Sequence, residues 1–376
     1  MKFVDLHRQY QAYKNEIEEA LARVFDSSNF ILGQEVAQLE RELAGYVGAR
    51  GAVGVSSGTD AMLLVLMALG VGRRDVVITT PFTFIATAEV ISLTGARPVF
   101  SDIDPDTFNM DVNRLEATIE QQKRAGHTPK GIIVVDLFGQ CADMDEIMAL
   151  AGKHGLFVME DACQSFGATY AERRACGLGT VAVTSFFPAK PLGCYGDGGM
   201  IFSDDEALLD ELRALRNHGQ KERYCHQRIG LNARLDTMQA AILRVKFRHF
   251  DDEINARRTI SDHYSRLLGD LVPHIKPPVV RPDRTSVYAQ YTIRIPGGKR
   301  DLVRQRLGKM GIPTAVHYPR PLHLQPCFAG LGHGPGAFPH AENAAKEVLS
   351  LPMYPFITPQ EQHLVVEALA KALDSI

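Results

Sequence analysis

The stretch GIIVVDLFGQCADMDEIMALAGKHGLFVMED, residues 131–161, contains the pattern that decides the fold. Its two short apolar runs, Gly131–Val135 and Leu156–Met159, are rich in Val and Ile and are typical of buried strands. Between them, Met144–His154 has the length and spacing of an amphipathic helix. A strand, a helix and a second strand in this order predict two parallel strands joined by a crossover helix.

The same alternation extends in both directions along the chain. Further buried strands are predicted at Ala52–Val55, Val76–Thr79, Pro98–Phe100, Val181–Phe187 and Gly199–Ser203. Further helices are predicted at Tyr10–Phe25, Val36–Tyr46, Thr59–Leu69, Ala86–Leu93, Val112–Gln121 and Glu206–Arg216. Repeated βα units predict an α/β fold in which a mostly parallel sheet is covered by helices on both faces.

The pattern changes after Leu235. A long charged stretch, Asp236–Leu268, predicts one helix, and a proline-containing segment then leads into an α+β region. There the predicted strands are Val287–Ile295 and Thr314–Val316, and the predicted helices are Leu302–Met310, Ala341–Leu349 and Pro359–Leu373. We therefore predict a large domain with an N-terminal helix, residues 1–240, and a smaller C-terminal α+β domain, residues 241–376.

Composition excludes several classes of protein. Of 376 residues, 45% are hydrophobic and 23% charged, as in ordinary globular proteins, and the net charge of −3 provides no basic field for nucleic acid or an anionic membrane. Six cysteines without a CxxC pair predict neither a disulfide scaffold nor a zinc ribbon. The chain start, MKFVDLHRQY, lacks the apolar run of a signal peptide, and Ala61–Val71 is too short to span a bilayer. We expect a cytoplasmic enzyme that binds neither nucleic acid nor membrane.

Ligands of parallel α/β sheets bind at the carboxyl ends of the strands, and the first such end here is VGVSSGTDA, residues 53–61. A strand turns into a helix at this point, so free backbone N–H groups at Gly58 and Thr59 could hold a phosphate. Alternatively, the Ser and Thr residues serve only to cap the helix. The stretch matches neither GxGxxG nor the P-loop pattern, so neither a dinucleotide site nor a P-loop is predicted.

Two further strand ends carry ionisable side chains. One strand ends in Glu160-Asp161, where Asp161 either faces a ligand or simply forms a turn. Another delivers Ser185 and then Lys190, which stands between two prolines and so cannot lie in a regular helix. Most lysines are solvated surface charges, but the apolar and glycine neighbours of Lys190 favour the neutral, nucleophilic amine of a Schiff-base lysine.

Together these strand ends supply what pyridoxal 5′-phosphate requires. The cofactor needs a phosphate cup, an anion at its pyridinium nitrogen and a lysine that forms an imine. Phe84, in PFTFIAT, follows the Val76–Thr79 strand on the same rim and could stack on the ring. We therefore predict pyridoxal phosphate as the cofactor and no metal.

Six motifs resemble the DegT/StrS-type sugar-nucleotide aminotransferases: SSGTDA, PFTFIATAE, EDACQSFGA, SFFPAKPLGCYGDGG, GLNARLD and AVHYP. The similarity runs over nearly the whole chain. It implies a fold-type-I, aspartate aminotransferase-like transferase whose large domain has a mostly parallel seven-stranded sheet. The stretches FILGQEV, FGQCADMD, SVYAQYT and PTAVHYPRPL are similar to enzymes that aminate C3 of UDP-2-acetamido-2-deoxy-3-keto-glucuronic acid for O-antigen or another surface polysaccharide.

The resemblance also implies roles for single residues. Lys190 would form the imine with the cofactor and move the proton, and Asp161 would keep the pyridinium nitrogen protonated. Gln164 would lie against the cofactor ring, with Phe84 stacked on it. The residues that would hold the phosphate are Gly58, Thr59, Ser185 and, from the neighbouring subunit of a homodimer, Asn232.

For the substrates, the family resemblance implies L-glutamate as amino donor and a nucleotide keto-sugar as acceptor, with pyridoxamine 5′-phosphate formed in between. Arg234 would bind a carboxylate across the dimer, although it could instead form a structural ion pair. His317 and Tyr318 would lie near the nucleotide sugar, although they could equally be packed in the core. Four alternatives remain: an aminotransferase acting on another UDP-, dTDP- or GDP-keto-sugar, a pyridoxal-phosphate enzyme of another reaction type, a non-catalytic regulator, and a cofactor-free aldolase.

Overall fold

The computed structural model describes residues 1–271 and 274–374. Its strands are β1 (Gly51–Val55), β2 (Asp75–Thr79), β3 (Arg97–Phe100), β4 (Thr128–Val135), β5 (Phe157–Asp161), β6 (Thr169–Tyr170), β7 (Arg173–Arg174), β8 (Val181–Ser185), β9 (Gly199–Ser203), β10 (Gln220–Glu222), β11 (Cys225–His226), β12 (Tyr291–Arg294) and β13 (Val348–Leu351). Its helices are α1 (Leu6–Ser27), α2 (Gln34–Val47), α3 (Gly58–Ala68), α4 (Ala86–Leu93), α5 (Val112–Arg124), α6 (Met144–His154), α7 (Glu206–Leu215), α8 (Thr237–Arg248), α9 (Phe250–Leu267), α10 (Arg300–Lys309), α11 (Pro339–Glu347) and α12 (Pro359–Asp374).

Seven of these strands form one sheet in the order β1-β9-β8-β5-β4-β2-β3. Strand β9 runs antiparallel to both of its neighbours, β1 and β8. The other neighbouring strands in the sheet are parallel. The predicted α/β architecture with a mostly parallel sheet is therefore confirmed.

Alternating side chains of β4 show that the sheet is covered on both faces. Ile132 and Val134 are buried in a layer that includes residues of α2, α5, α6 and α8. Ile133, between them, is buried in the opposite layer with residues of α3, α4 and α7. Strands buried on both faces must be apolar along their length. Polar groups that face the inside of the protein are consequently concentrated at the strand ends, where a site can form.

The chain after α8 builds a separate core around the antiparallel pair β12–β13. Tyr264 of α9, Leu307 of α10 and Leu369 of α12 are buried against this pair. The predicted boundary between residues 240 and 241 falls inside α8, and the division of the chain into two domains stays a prediction. Among the described residues, no helix combines the length and apolar character that crossing a membrane requires.

The single helix predicted over Asp236–Leu268 is in fact two helices. Asp236 accepts a hydrogen bond from the Gln239 amide and caps α8, and the chain leaves helical geometry at His249. Helix α9 then begins with three carboxylates in its first turn, where the helix dipole favours negative charge. A charge pattern that fits one long helix thus also contains the start signal of a second.

Two predictions near the end of the chain were also wrong. The helix predicted to reach Leu349 stops at Glu347, because Val348–Leu351 pairs with β12 instead. The strand predicted at Thr314–Val316 is reduced to one isolated bridge, between Ala315 and Ser350. In both cases a pairing partner distant in the sequence decides the local structure.

Candidate active site

Glycines allow β1, β8 and β9 to approach the start of α3 closely. A Cβ atom on Gly58, the first residue of α3, would lie 2.8 Å from the Cβ of Ser185 and 3.0 Å from the Sγ of Cys163. A Cβ atom on Gly199 would lie 2.5 Å from the carbonyl carbon of Ser57. These positions therefore need glycine so that the three strand ends can meet around one helix N-terminus.

The first turn of α3 is both capped and open to a ligand. Ser57 is the N-cap, and its hydroxyl accepts a hydrogen bond of 3.0 Å from the Asp60 amide. The amides of Gly58 and Thr59 belong to the same turn, whose N–H groups have no partner within a helix. The capping alternative is thus correct for Ser57, and it leaves the two predicted phosphate-binding amides available.

A cavity of about 410 Å³ lies at these strand ends. The structure brings eight of the predicted site residues to its wall: Gly58, Thr59, Phe84, Asp161, Gln164, Ser185, Lys190 and Tyr318. The remaining wall is formed by residues that the sequence analysis did not single out: Ser57, Met62, Thr83, Ala86, Thr87, Val135, Cys163, Phe187 and Asp197. Residues separated by up to 261 positions in the chain (57 to 318) therefore meet in one place.

Asp161 ends β5 and is only 4% exposed. Its Oδ2 accepts a hydrogen bond of 3.0 Å from the Thr87 hydroxyl, and its Oδ1 accepts one of 3.2 Å from the Cys163 amide. Two donors from different segments hold the carboxylate in a fixed orientation at the cavity wall. Thr87 was missed in the sequence, although it lies in the PFTFIATAE motif, because its contact is 74 residues away.

Glu160, directly before Asp161, does not belong to the site. Successive side chains of a strand point to opposite faces, so Glu160 is directed away from the side on which Asp161 lies. Its carboxylate accepts hydrogen bonds of 2.7 Å from the Cys176 amide and 3.0 Å from the Leu178 amide. These contacts make it a buried anchor for the 176–178 turn.

Lys190 is half-buried and lies in a turn, with its amide donating to the Phe187 carbonyl at 2.8 Å. The loop that follows is fixed from α8 by Lys246, which is 2% exposed and donates to the Gly193 carbonyl. Burial lowers the pKa of Lys246 to about 8. The role of Lys246 could not be read from the sequence, since a lysine in an amphipathic helix ordinarily faces solvent.

Gln164 is held between two segments. Its Oε1 accepts from the Phe138 amide at 2.9 Å, and its Nε2 donates to the Tyr318 hydroxyl at 3.3 Å. Burial raises the pKa of Tyr318 above its usual range, with a further contribution from the charge of Asp161, so the phenol stays neutral. The Phe84 ring is 55% exposed, lies 6.2 Å from the Tyr318 ring and lines the cavity.

His317 is adjacent to the cavity but is not part of its wall. Its Nδ1 lies 3.1 Å from the Ser350 hydroxyl. Burial, together with the nearby positive charge of Lys190, lowers the pKa of His317 to about 4, so the imidazole is neutral at pH 7. His317 is partly exposed, and both its predicted place near the nucleotide sugar and the alternative of core packing stay predictions.

Asn232 and Arg234 are not brought to the cavity of their own chain. Asn232 is exposed, and Arg234 donates from Nη1 to the Asn217 Oδ1 at 2.6 Å. The contact of Arg234 is thus with an amide and not the ion pair considered as an alternative. The predicted roles of both residues require a second subunit and stay predictions.

A mostly parallel sheet whose carboxyl ends gather a lysine, a buried carboxylate and a helix N-terminus is the arrangement of fold-type-I pyridoxal-phosphate transferases. Comparison with known sequences gives the particular group. The chain belongs to the DegT/DnrJ/EryC1/StrS aminotransferase family, whose sequence profile matches residues 11–370. The predicted family and enzyme class are confirmed.

Individual relatives cover almost the full chain. It is 46% identical over 369 residues to a UDP-2-acetamido-2-deoxy-3-oxo-D-glucuronate aminotransferase of Pseudomonas aeruginosa, with 98% of this chain and 99% of the relative covered. It is 49% identical over 372 residues to a protein of Geobacillus stearothermophilus named a pleiotropic regulatory protein, covering 98% of this chain and 97% of the relative.

Solved structures agree with the fold. A DegT/DnrJ/EryC1/StrS aminotransferase from Brucella abortus superposes with a TM-score of 0.95 at 40% identity, over 99% of both chains. NtdA from Bacillus subtilis, solved with the bound cofactor PMP (pyridoxamine 5′-phosphate), superposes with a TM-score of 0.91 at 29% identity, over 100% of this chain and 85% of the other. The predicted fold type is confirmed, and so is pyridoxal phosphate as the cofactor of the family.

The residues of the cavity fit this cofactor. The amides at the start of α3 suit a phosphate, and the absence of a Cβ on Gly58 lets Ser185 lie close to the same turn. The buried Asp161 carboxylate suits a protonated ring nitrogen, and Lys190 lines the same cavity. The largely exposed Phe84 ring in the cavity wall suits stacking on a flat ring.

Proposed function

We propose that this protein transfers the amino group of L-glutamate to C3 of UDP-2-acetamido-2-deoxy-3-keto-glucuronic acid. The observation that carries the proposal is the shared cavity of Lys190, Asp161 and the N-terminus of α3. The likeness to the Pseudomonas aeruginosa enzyme supports the choice of substrate. Loss of the amino group converts glutamate to 2-oxoglutarate, and the keto group of the sugar becomes an amine, so the two half-reactions balance without an external oxidant.

Pyridoxal phosphate, when bound, would form an imine with an amine and withdraw electrons from the carbon that loses its proton. Lys190 would bind the cofactor covalently at rest and, once released, move the proton between the substrate carbon and the cofactor. Asp161, fixed by Thr87, would hold a proton on the ring nitrogen. Gly58, Thr59 and Ser185 would hold the phosphate, and Gln164 would face the ring.

The acceptor test uses purified UDP-2-acetamido-2-deoxy-3-keto-glucuronic acid with L-glutamate. We expect one 2-oxoglutarate for each amino sugar formed, measured by mass spectrometry of the nucleotide sugar and an enzymatic assay of the keto acid. The matched substrate is a UDP-keto-sugar whose sugar lacks the carboxylate. If kcat/KM is higher for that sugar than for the uronate, the uronate is not the acceptor.

The name of the Geobacillus relative favours a second candidate, a regulator built on the same fold. A regulator does not need Lys190 for bond making, whereas an aminotransferase does. The two proposals separate in a Lys190→Ala variant that still folds. Loss of the amino-sugar product together with loss of any regulatory phenotype favours the enzyme; an intact phenotype without product formation would favour the regulator.

The proposal includes a homodimer with shared sites, in which the partner's Asn232 reaches the phosphate and the partner's Arg234 binds a substrate carboxylate. The exposure of Asn232 outside its own cavity supports this arrangement. Lys190→Ala and Asn232→Asp variants, each inactive alone, can be unfolded together and refolded. Shared sites predict that mixing restores about a quarter of wild-type activity, because one site of each mixed dimer carries neither change. A mixture as inactive as its components would contradict the sharing.

We place this reaction in the cytoplasm, as a step toward amino sugars of O-antigen or a related surface polysaccharide. The nucleotide-linked sugar and glutamate are both cytoplasmic metabolites, which supports the location. Deletion of the gene in its host should remove the diamino-uronate sugar from surface polysaccharide, as measured by sugar analysis. An unchanged polysaccharide composition would contradict the placement.

A further inference from the structure

A second and much smaller cavity also borders Lys190. Its walls are Pro188, Ala189 and Lys190 on one side, with residues of α1, α9 and the segment after β13 around them. It offers about 10 Å³ to the centre of a water molecule. A buried water needs about 10–15 Å³ measured in this way. The cavity therefore has room for one water molecule.

Three polar atoms belonging to wall residues of this cavity have no hydrogen-bond partner among the described residues: Gln9 Oε1, Arg257 Nε and Tyr354 Oη. The residues are 7%, 4% and 2% exposed, respectively. A buried polar group without a partner costs about 1–3 kcal/mol. Because Gln9, Arg257 and Tyr354 all line the same water-sized space, one ligand bound there could satisfy the three atoms together.

The chemistry of the three atoms identifies that ligand. The Gln9 amide is oriented by its Nε2, which donates to both carboxylate oxygens of Glu253 at 2.8 and 2.9 Å, so Oε1 is an acceptor that needs a donor. Arg257 already donates from Nη1 to the Tyr288 carbonyl at 3.1 Å, and its Nε–H is a donor that needs an acceptor. The Tyr354 hydroxyl can do either. An anion leaves Gln9 unsatisfied and a cation is repelled by Arg257, whereas water serves all three.

We propose that this cavity binds one structural water molecule, which accepts from Arg257 Nε, donates to Gln9 Oε1 and bonds to the Tyr354 hydroxyl. Through it, α1, α9 and the segment after β13 are joined directly beside Pro188–Lys190. The water thereby fixes the backbone of the lysine segment while leaving the larger cavity free. Gln9, Arg257 and Tyr354 are positioning residues in this account, acting on Lys190 through packing.

The direct test is a crystal structure of the protein as purified, at a resolution that shows ordered water. We expect a density peak within about 3.2 Å of Gln9 Oε1, Arg257 Nε and Tyr354 Oη. An empty cavity, or a peak that reaches only one of the three atoms, would overturn the proposal. The measurement needs neither cofactor nor turnover, so its failure would leave the proposed function standing.

A solution test uses the Tyr354→Phe variant, which removes only the hydroxyl. If the hydroxyl binds water, the variant loses a hydrogen bond and its Tm falls. The matched variant is Tyr264→Phe, because the Tyr264 hydroxyl donates to the Pro352 carbonyl at 3.0 Å and its removal should also lower Tm. If the hydroxyl has no partner, its removal is neutral or stabilising. An unchanged or higher Tm for Tyr354→Phe would therefore overturn the water site.

The positioning role has its own measurement, hydrogen exchange of the Lys190 amide, which donates to the Phe187 carbonyl. Loss of one hydrogen bond beside this turn should speed local exchange about fivefold in Tyr354→Phe. The same amide should exchange at the wild-type rate in Tyr264→Phe, which is destabilised elsewhere. Equal exchange rates in the two variants would contradict a specific effect on the lysine segment.

Discussion

At the scale of single residues, the buried contact between Thr87 and Asp161 gives the sharpest expectation. Asp161→Asn removes the negative charge at the ring nitrogen and should lower kcat by about two to three orders of magnitude. Thr87→Val keeps the charge but frees its orientation, and should lower kcat about tenfold or more with little change in KM. Steady-state kinetics on both variants show which of them loses more kcat. A Thr87→Val variant more impaired than Asp161→Asn would contradict the assigned roles.

Gly58 tests whether the close approach at the start of α3 is required. In Gly58→Ala, the new Cβ would lie 2.8 Å from that of Ser185, so neighbours must move at a cost of about 1–3 kcal/mol and cofactor affinity should fall. Gly45→Ala in α2 is the matched control, since a Cβ there meets open space and should raise helix stability by up to about 1 kcal/mol. Urea unfolding and cofactor titration measure both. If Gly58→Ala kept the wild-type cofactor affinity and stability, glycine would not be required for the close approach at this position.

At the scale of elements, α2 is tied to the edge of the sheet by the pair Glu40–Arg216, whose side chains are 14% and 9% exposed. Glu40 also accepts from the Gly54 amide at 2.8 Å, and Arg216 donates to the Gly54 carbonyl at 2.7 Å. Glu40→Ala leaves a buried cation unpaired and should lower the free energy of unfolding by about 3–5 kcal/mol.

The control for this pair is Glu42→Ala, which breaks the more exposed contact with Arg244 between α2 and α8. Loss of the Glu42–Arg244 ion pair should lower the free energy of unfolding by no more than about 1 kcal/mol, because solvent screens the charges. Equilibrium urea unfolding compares the two variants. Similar losses in both would show that burial does not strengthen the Glu40 contact.

Some elements of the fold could be predicted from the sequence and others could not. Apolar runs such as Gly131–Val135 predicted the buried strands because both sides of the sheet require apolar residues. β13 was missed because it pairs with β12, from Tyr291 with Leu351 (60 positions apart) to Arg294 with Val348 (54 positions apart), which no local pattern reveals. The break at His249 was missed because charge periodicity continues through both helices.

At the scale of the whole molecule, the three strand ends of the site could be predicted because each contains its own signal: a glycine turn, a carboxylate or a lysine between prolines. Thr87 and Lys246 could not, since their roles arise from packing between distant segments. The roles of Asn232 and Arg234 follow only from the family resemblance, because they need another copy of the chain. What is local in the sequence was predictable from the residues themselves, and contacts between distant segments were not.

Because partial burial keeps His317 in its neutral form, the stability of the folded protein should fall at acidic pH. Its pKa is lowered to about 4 in the folded protein from an ordinary value of 6.5, so on acidification the unfolded chain binds the proton first. The stability that His317 contributes is complete above about pH 6.5 and is lost as the pH falls toward 4. Between pH 7 and pH 4.5, urea midpoints should therefore fall less in His317→Gln than in the wild type. An equal fall in both would contradict the burial argument.

The most direct test of the central claim is an absorbance spectrum of the purified protein, recorded before and after addition of L-glutamate. We predict a band near the visible edge that borohydride fixes to Lys190, as located by peptide mapping, and that glutamate converts to the shorter-wavelength band of pyridoxamine phosphate. Absence of the band after incubation with pyridoxal phosphate, or a borohydride adduct on another lysine, would contradict the account. A band that glutamate leaves unchanged would contradict glutamate as the donor.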